Sequence, residues 1–250
     1  MEVAMTQEHG SGADGPARRA GDKGRYGRLS RERVLLAALE VVDRDGLSGL
    51  SMRRLGAELG VEAMALYRYA PSKDALLDGL VEVFCLQVEW ELEQDPAGPD
   101  GAAGAAESPD WRACLHRIAQ ATLGVALRHP HVVPLLATRL LATPLARRPL
   151  PVLRTDERVL ALLHAGGFSE ADTVRIHRRF TAWLLGYLLV ELRAMDDDPG
   201  EPDPAFRLGL HRIPSGELPR LRATAVRLVD RGGPDELAAG LDALLRGYSD

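Results

Sequence analysis

Apolar residues recur every three or four positions along most of the chain after residue 30, which is the spacing of one helix face. Turn-forming residues separate these stretches, and the predicted N-caps are Ser30, Ser51, Asp110 and Ser169. No stretch alternates apolar and polar residues as a half-buried strand does. The pattern predicts an all-α fold with helices over residues 30 to 45, 51 to 59, 61 to 69, 73 to 94, 111 to 128, 132 to 141, 153 to 164, 170 to 195, 217 to 230 and 235 to 246.

The stretch after the first helix has the residue types of two helices joined by a tight turn. Ser51 is a good N-cap, because its hydroxyl can accept a hydrogen bond from a free N–H group of the first turn. Leu55 and Leu59 lie on one helix face, and Gly60 follows, where a left-handed conformation ends a helix. Pro71 disfavours helical geometry at the preceding residue, so the second helix is short. This layout predicts a helix-turn-helix that binds duplex DNA.

The side chains expected to point outward from these helices suit a DNA surface. Ala63, Met64 and Ala65 begin the helix that enters the major groove, where they can contact thymine methyl groups. Lys73 opens the next helix, where the free N–H groups, the helix dipole and the ammonium group all favour a phosphate. The alternative is that the tyrosines are packing residues and the arginines a solvated face. The DNA interpretation assigns contacts to Ser51, Arg53, Ala63, Met64, Ala65, Tyr67, Arg68, Tyr69 and Lys73.

The net charge of −5 is unusual for a DNA-binding protein, but the charges are unevenly distributed. Residues 25 to 73 contain nine basic and six acidic residues, a local charge of +3, whereas residues 81 to 110 contain eight acidic residues and no basic one. Binding depends on the local potential and not on the sum of all charges. We therefore expect the acidic segment to face away from DNA.

The segment from about Leu29 to Phe84 resembles the DNA-binding domain of the TetR family of transcriptional regulators. The resemblance rests on four runs of sequence: SMRRL from residue 51, LGV from residue 59, LYRY from residue 66 and KDALL from residue 73. It implies that Tyr67, Tyr69 and Lys73 contact phosphates, and that Arg53 and residues 63 to 68 lie nearest the bases. Two positions depart from the family pattern. Histidine is frequent at the position of Tyr69, and an aromatic or aliphatic residue at that of Ala70, but Tyr69 keeps a hydrogen-bonding group at its tip.

The composition outside the helix-turn-helix indicates an N-terminal arm and two loops. Residues 1 to 26 are rich in glycine, alanine and charge without periodicity, so a disordered N-terminal arm is predicted. Residues 27 to 74 are then the DNA-binding domain, and residues 75 to 250 a larger helical domain, for which the family resemblance implies ligand binding and dimerisation. Within the larger domain, residues 95 to 109 and 196 to 214 contain too much glycine or proline for a helix and are predicted loops.

The C-terminal half resembles the ligand-binding and dimerisation domain of the same family, more weakly. Residues 111 to 130, residues 180 to 192 and the closing segment 237 to 245 carry this likeness. It implies a homodimer held by a four-helix bundle, for which the candidates are the helices at 153 to 164 and 171 to 195 and the last helix. Because one helix-turn-helix contacts few base pairs, such a dimer would bind a palindromic operator.

The resemblance also implies a pocket for a small-molecule effector of unknown identity, whose binding releases DNA. The effector must bind the DNA-free conformation more tightly. Each pocket candidate could equally be an ordinary core or surface residue, because helical periodicity does not locate a pocket. The candidates are Trp111, His116, Arg139, Phe168, His177, Phe180, Trp183 and Tyr187.

Other classes of function find little support in the sequence. The histidines and cysteines lack metal-ligand spacing, and no catalytic or nucleotide-binding motif occurs, so we expect neither an enzyme nor a cofactor. Cys85 and Cys114 suit buried thiols in a reducing cytosol. No signal peptide and no long apolar run are present, so we expect a cytoplasmic protein without a membrane partner.

Two alternatives stay open at this point. One is a regulator that does not respond to a ligand, or that activates instead of repressing. The other is a helical small-molecule-binding protein or enzyme whose helix-turn-helix is vestigial. The expected function is a repressor that binds its operator as a homodimer and is released by a small molecule.

Overall fold

The computed structural model describes residues 29–94, 110–140, 142–192, 202–228 and 230–248. These residues form helices and turns without a strand, which confirms the all-α prediction. The predicted arm at 1 to 26 and the predicted loop at 95 to 109 lie outside the described residues. The helices are α1 (Arg31–Gly49), α2 (Met52–Leu59), α3 (Ala63–Leu66), α4 (Lys73–Gln94), α5 (Trp111–Arg128), α6 (Val133–Leu135), α7 (Leu150–Ala165), α8 (Glu170–Glu191), α9 (Pro204–Arg207), α10 (Pro219–Leu228) and α11 (Gly233–Leu245).

Helix α1 supports the two helices that follow it. Ser30 caps its start, since the Ser30 hydroxyl accepts a hydrogen bond from the Arg33 backbone N–H at 3.2 Å. Gly46, with a φ of 70° and a ψ of 176°, breaks the helix at the residue where the sequence predicts its end, and a short helical stretch then continues across this kink to Gly49.

Helix α4 joins the N-terminal helices to the rest of the molecule. It runs from Lys73 to Gln94, as the sequence predicts, and it packs against α1, α5 and α7. Gly79 permits the close approach of α1, because a Cβ atom at Gly79 would lie 2.3 Å from the Leu35 Cδ2 atom. His129, just after α5, lies between Asp43 of α1 at 2.8 Å and Gln87 of α4 at 2.9 Å. One helix is therefore common to both parts of the core.

The segment between α5 and α7 is less regular than the sequence predicts. In place of one short helix at 132 to 141, it has a 3-10 turn at Pro130–Val132, the single turn α6 and a π-helical turn at Leu136–Leu140. Helix α7 begins at Leu150 instead of near Leu153. Pro151 fits inside its first turn, where a backbone N–H would have no intrahelical partner. The predicted start of α7 was wrong because a proline fits a loop as well as the first turn of a helix.

Helix α8 crosses the C-terminal half and buries one face. Ser169 caps it as predicted, and the buried residues are Thr173, Ile176, Phe180, Leu184 and Leu188. The apolar spacing predicts that Val174 faces the core, but Val174 is 47 % exposed, so this prediction was wrong. Its position beside Thr173 turns it to the opposite face. The helix ends at Glu191, four residues before its predicted end at residue 195. Residues 193 to 195 lie outside the described chain.

The last two helices differ in how they pack. Helix α11 lies against α5 and α8 and buries Leu237, Leu241 and Leu245. Arg112 of α5 holds its C-terminal end, donating to the Leu245 carbonyl oxygen at 3.2 Å and to the Tyr248 carbonyl oxygen. Among the described residues of α10, by contrast, Ala225 alone is buried. Helix α10 therefore leaves apolar side chains on the surface.

Candidate DNA-binding surface and ligand cavity

The turn between α2 and α3 has the geometry that the sequence predicts. The Ser51 hydroxyl accepts from the Arg54 backbone N–H at 3.2 Å, and Gly60 closes α2 with a φ of 65° and a ψ of 30°. Gly56 also shapes this turn, although sequence reasoning missed it. A Cβ atom at Gly56 would lie 2.8 Å from the Val61 carbonyl oxygen, which is too close for a side chain. The Val61 backbone N–H donates to the Gly56 carbonyl oxygen at 2.9 Å and holds the turn closed. The signal was a glycine inside a helix.

The side chains predicted to contact DNA lie on α2, α3, the turn that follows and the start of α4. Helix α3 is a single turn, and residues 67 to 69 lie just beyond it. Met64 is 77 % exposed and Tyr67 is 42 % exposed, although large apolar and aromatic side chains are usually buried. Ala63 and Tyr69 are half-buried, and the exposed members of the set are Ser51, Arg53, Met64, Ala65, Tyr67, Arg68 and Lys73. Leu66 is buried beneath them and anchors the turn.

The basic residues of this region fall into two groups. Arg54 pairs with Asp45 at 2.7 Å, and Arg44 pairs with Asp45 at 2.9 Å and with Glu58. These pairs tie the end of α1 to α2. Within the described part of the chain, Arg53 and Lys73 have no ion-pair or hydrogen-bond partner. Their charges are therefore available to an external anion.

Tyr69 has internal partners for its hydroxyl group. The hydroxyl donates to the Leu29 carbonyl oxygen at 2.8 Å and accepts from the Arg68 guanidinium at 2.9 Å. Its single proton is thus used within the protein. The resemblance implies a phosphate contact for Tyr69, but this geometry gives the residue a different task, which is to hold Arg68 and the chain before α1 in position.

A cavity opens between α4, α5, α7 and α8. Its empty volume is about 800 Å³, including the solvent at its opening. Ligand pockets commonly have mostly apolar walls with a few polar groups. Apolar side chains form most of this wall: Phe84, Val88, Ile118, Leu136, Leu140, Val152, Val159, Phe180, Leu184 and Leu185.

One corner of the cavity is polar. Asp156 lies at its centre, with one carboxylate oxygen 3.1 Å from the His177 Nε2 atom and the other 3.3 Å from the Arg148 Nη1 atom. Cys85, Thr155 and Thr181 line the cavity as well. Burial raises the pKa of the Cys85 thiol to about 12, so the thiol is neutral at physiological pH. The corner can orient a ligand, but it lacks an ionised nucleophile.

A smaller cavity adjoins the first one. Its empty volume is about 380 Å³, and it shares Leu140, Arg148 and Val152 with the larger cavity. Arg139 and Arg147 line it on one side and Asp78 of α4 on the other. Arg139 donates to Asp74 at 2.5 Å and to Asp78 at 3.4 Å. We call this second space the mouth.

The predicted pocket residues divide into two sets. His177 and Phe180 line the large cavity, and Arg139 lines the mouth. The structure does not bring the other five to either space. Two of the five, Trp111 and Phe168, pack edge-on against each other at 4.9 Å between ring centres. His116, Trp183 and Tyr187 lie toward α11. His116 is 2.7 Å from Asp242, Trp183 lies against Gly240, and the Tyr187 hydroxyl donates to the Gly233 carbonyl oxygen at 2.8 Å.

Sequence reasoning missed the polar corner for a physical reason. Cys85, Arg148, Asp156 and His177 come from three helices and one turn, and no spacing in the sequence relates them. Within the described part of the chain, no three His, Cys, Asp or Glu side chains come together as a metal site requires. Nor is any described helix long and apolar enough to cross a membrane.

A helix-turn-helix with an exposed basic and aromatic surface, joined by one long helix to a helical body with an internal cavity, defines a class of bacterial regulatory proteins. Comparison with known families agrees. Residues 34–80 match the family described as "Bacterial regulatory proteins, tetR family", and residues 103–249 match the "Tetracyclin repressor-like, C-terminal domain". The chain belongs to the TetR family.

Similar proteins and structures come from several bacteria. The HTH-type transcriptional repressor DrrR1 of Streptomyces coeruleorubidus is 35% identical over 58% of this chain, but the match spans only 47% of that protein. The tetracycline repressor protein class D of Escherichia coli is 30% identical over 88% of this chain and 89% of its own length. A possible TetR family transcriptional regulator from Streptomyces coelicolor A3(2) has a solved structure with a TM-score of 0.65 and 29% identity, covering 87% of this chain and 98% of that one.

Proposed function

We propose that this protein is a cytoplasmic transcriptional repressor that binds a palindromic operator as a homodimer and releases it when a small molecule occupies the cavity. The observation that carries the proposal is the surface formed by α3 and the start of α4. There Met64 and Tyr67 are exposed, and the charges of Arg53 and Lys73 are not used within the described part of the chain. Exposed apolar and basic groups of this kind mark a binding surface for nucleic acid.

The same surface argues against a vestigial helix-turn-helix. A helix-turn-helix that no longer bound DNA would have no function for an exposed methionine and tyrosine beside cations without partners in the described chain. The turn beneath them also retains Gly56 and Gly60 in the geometry that keeps α2 and α3 close. Two similar proteins are named as repressors, DrrR1 and the class D tetracycline repressor. These observations support a repressor over the alternatives.

The proposed homodimer has a surface suited to it on α8. Val174, Arg178, Ala182, Gly186 and Val190 lie four residues apart, and all five are exposed. A Cβ atom at Gly186 would meet nothing within 4 Å. Apart from Arg178, this stripe consists of small and apolar residues that the chain leaves open, which favours the close approach of another helix.

Helix α10 is the second candidate for the dimer contact. Leu218, Leu221 and Leu228 are exposed at or near it. The sequence favoured α7 and the last helix beside α8, but α11 buries its apolar face within its own chain. We therefore propose a four-helix bundle of α8 and α10 from each protomer.

The coupling between ligand and operator would pass through α4. Its first residue is Lys73, on the DNA surface, and Phe84 and Val88 farther along line the large cavity. A ligand that moves the wall of the cavity therefore moves the helix that carries a phosphate contact. Only a difference in ligand affinity between the two conformations can drive release.

The proposal is tested by fluorescence anisotropy with duplexes from the DNA that flanks the coding region, against random duplex, at several salt concentrations. We expect preferential binding to one flanking site. Lys73→Ala should weaken binding to all duplexes alike and lower the slope of log affinity against log salt by about one, because one phosphate contact is lost. Arg154→Ala is the matched control, since Arg154 is an exposed cation on α7, away from this surface.

Two of the residues expected nearest the bases give a separate readout. Replacing Met64 or Arg68 should change which duplex sequences are preferred, because side chains at base edges carry the specificity. Weak binding that is equal for every duplex, in selected random sequences as well as in the flanking DNA, would contradict the proposed function.

A further inference from the structure

We propose that the effector is an apolar molecule carrying one anionic oxygen group, bound with its apolar body in the large cavity and its anionic group on Arg148. This inference rests on the proposed ligand site and names the class of molecule that fits it. The larger space supplies the apolar wall, and Arg148 lies where it meets the mouth.

The hydrogen-bonding capacity of Arg148 is incompletely used. A guanidinium has five N–H donors. In the described structure, its Nε atom donates to the Thr143 carbonyl oxygen at 3.2 Å and its Nη1 atom to Asp156 at 3.3 Å. The remaining donors belong to a side chain that is only 20% exposed. A ligand that reaches this corner therefore meets N–H groups that are free to donate to it.

Asp156 is the one carboxylate in the lining of the large cavity, and it is already engaged. One oxygen accepts from Arg148, and the other contacts His177 at 3.1 Å. Its charge is thus balanced by the guanidinium beside it. A cationic ligand would have to compete with Arg148 for this carboxylate, whereas an anionic ligand would add to the existing pair.

The charge around both spaces points the same way. Their lining contains three arginines, Arg139, Arg147 and Arg148, and two aspartates, Asp78 and Asp156. Arg147 is exposed and has no partner within the described residues, so its field acts on whatever enters the mouth. Arg139 is bonded to Asp74 and Asp78, and Arg148 is bonded to Asp156. The unpaired charge of Arg147 and the unused donors of Arg148, beside an apolar wall, favour a molecule with an anionic group at one end.

A matched pair of fluorescent probes tests this inference on the DNA-free protein. 8-Anilinonaphthalene-1-sulfonate and N-phenyl-1-naphthylamine share the same aromatic body, and only the first carries an anionic group. We expect the sulfonate probe to bind about tenfold more tightly, since a charge-assisted hydrogen bond to a buried guanidinium is of that order. Equal affinities, or tighter binding of the neutral probe, would overturn the proposal.

Variants assign the preference to one residue. Arg148→Gln should abolish the preference while the affinity for the neutral probe stays within about twofold, which also reports that the cavity is intact. Arg148→Lys should keep part of the preference, and Arg154→Gln, on the exposed side of α7, should keep all of it. A preference that survives Arg148→Gln would place the anionic group elsewhere and contradict the inference.

A cavity-filling variant locates the probes. Thr181 lines the large cavity from α8, so Thr181→Trp should weaken the binding of both probes. Binding that Thr181→Trp leaves unchanged would lie outside the cavity and would overturn the proposal. Because none of these measurements includes DNA, a failure of operator binding would contradict the proposed repressor function alone and leave the ligand class standing.

Discussion

The phenol group of Tyr69 links the turn after α3 to the chain before α1, through its hydrogen bond to the Leu29 carbonyl oxygen. Arg68 in turn donates to this phenol oxygen and stacks over the ring at 5.3 Å from its centre. The residue type alone does not distinguish this role from a phosphate contact, because both use the same hydroxyl. Only the fold decides which acceptor lies within reach.

Tyr69→Phe should therefore lower stability more than DNA affinity. The loss of one part-buried hydrogen bond costs about 1 kcal/mol of the free energy of unfolding, which chemical denaturation measures. Tyr67→Phe is the control, because the Tyr67 hydroxyl has no partner in the described chain, and it should reduce affinity for all duplexes without a change in stability. The reverse result for the pair would restore the phosphate contact to Tyr69.

Cys85 shows a second residue whose environment the sequence only partly predicts. A buried thiol was expected, and the thiol is buried, but its place in the wall of the large cavity was not foreseen. Burial raises its pKa to about 12, against a hydrogen bond from Thr155 that lowers it. The thiolate fraction at neutral pH is therefore very small.

We expect Cys85 to react slowly with iodoacetamide in the folded protein. Its thiolate fraction near pH 8 should be about a thousandfold below that of an ordinary thiol, for a pKa of about 12 against 9.0. The rate should still rise at pH 10, where an unfolded thiol has passed its pKa and levels off. Cys114, which is less buried, is the internal comparison by mass spectrometry. Faster labelling of Cys85 than of Cys114 would contradict this account.

At the scale of the element, the caps are the features that the sequence predicts best. Ser30, Ser51, Asp110 and Ser169 each accept a backbone hydrogen bond at the helix start where they were expected. Capping is a local interaction between a side chain and the next turn, so neighbouring residues determine it. The start of α7 is different, because a proline is compatible with either a loop or a first helical turn. Tertiary packing selects between them.

Gly56 lies in the interior of α2, where alanine would ordinarily be preferred by about 1 kcal/mol. We nevertheless expect Gly56→Ala to destabilise the protein, by about 1–3 kcal/mol, because the new methyl group would press on the Val61 carbonyl oxygen and the start of α3. Thermal unfolding measures the change. Gly216→Ala, in a turn with open space around it, is the control and should have little effect. A stabilised Gly56→Ala protein would mean that α3 can move away.

At the scale of the whole molecule, helix order was predictable and the cavity was not. Apolar spacing reports that a helix has a buried face, and this gave the order of the helices and most of the core. It does not report which neighbour covers that face. Trp183 and Tyr187 were expected in the pocket, yet they pack toward α11, while the cavity forms on the side of α8 that faces α4 and α7.

The proposed dimer gives the prediction that belongs to this scale. Gly186→Gln should convert the dimer to a monomer, because a long side chain in the α8 stripe would keep two protomers apart. The same change should leave the protomer fold intact, since nothing in the described chain lies within 4 Å of the new Cβ atom. Light scattering gives the mass, and circular dichroism gives the helix content. Gly216→Gln is the control for a long side chain at an open glycine.

A wild-type monomer at micromolar concentration would contradict the dimer itself. An unchanged dimer mass in the Gly186→Gln protein would instead move the contact away from the α8 stripe. The second result would leave α10 as the remaining candidate, because its exposed leucines are independent of α8.

The pairing of Arg139 with Asp74 and Asp78 has a consequence for how such a protein can diverge. Asp74 directly follows Lys73, so a residue that lines the mouth is bonded to the turn that carries a proposed phosphate contact. Ligand preference and operator affinity then share a few side chains and cannot be altered independently there. Selection for a new inducer would be least constrained at the apolar wall deep in the cavity, and most constrained at the rim.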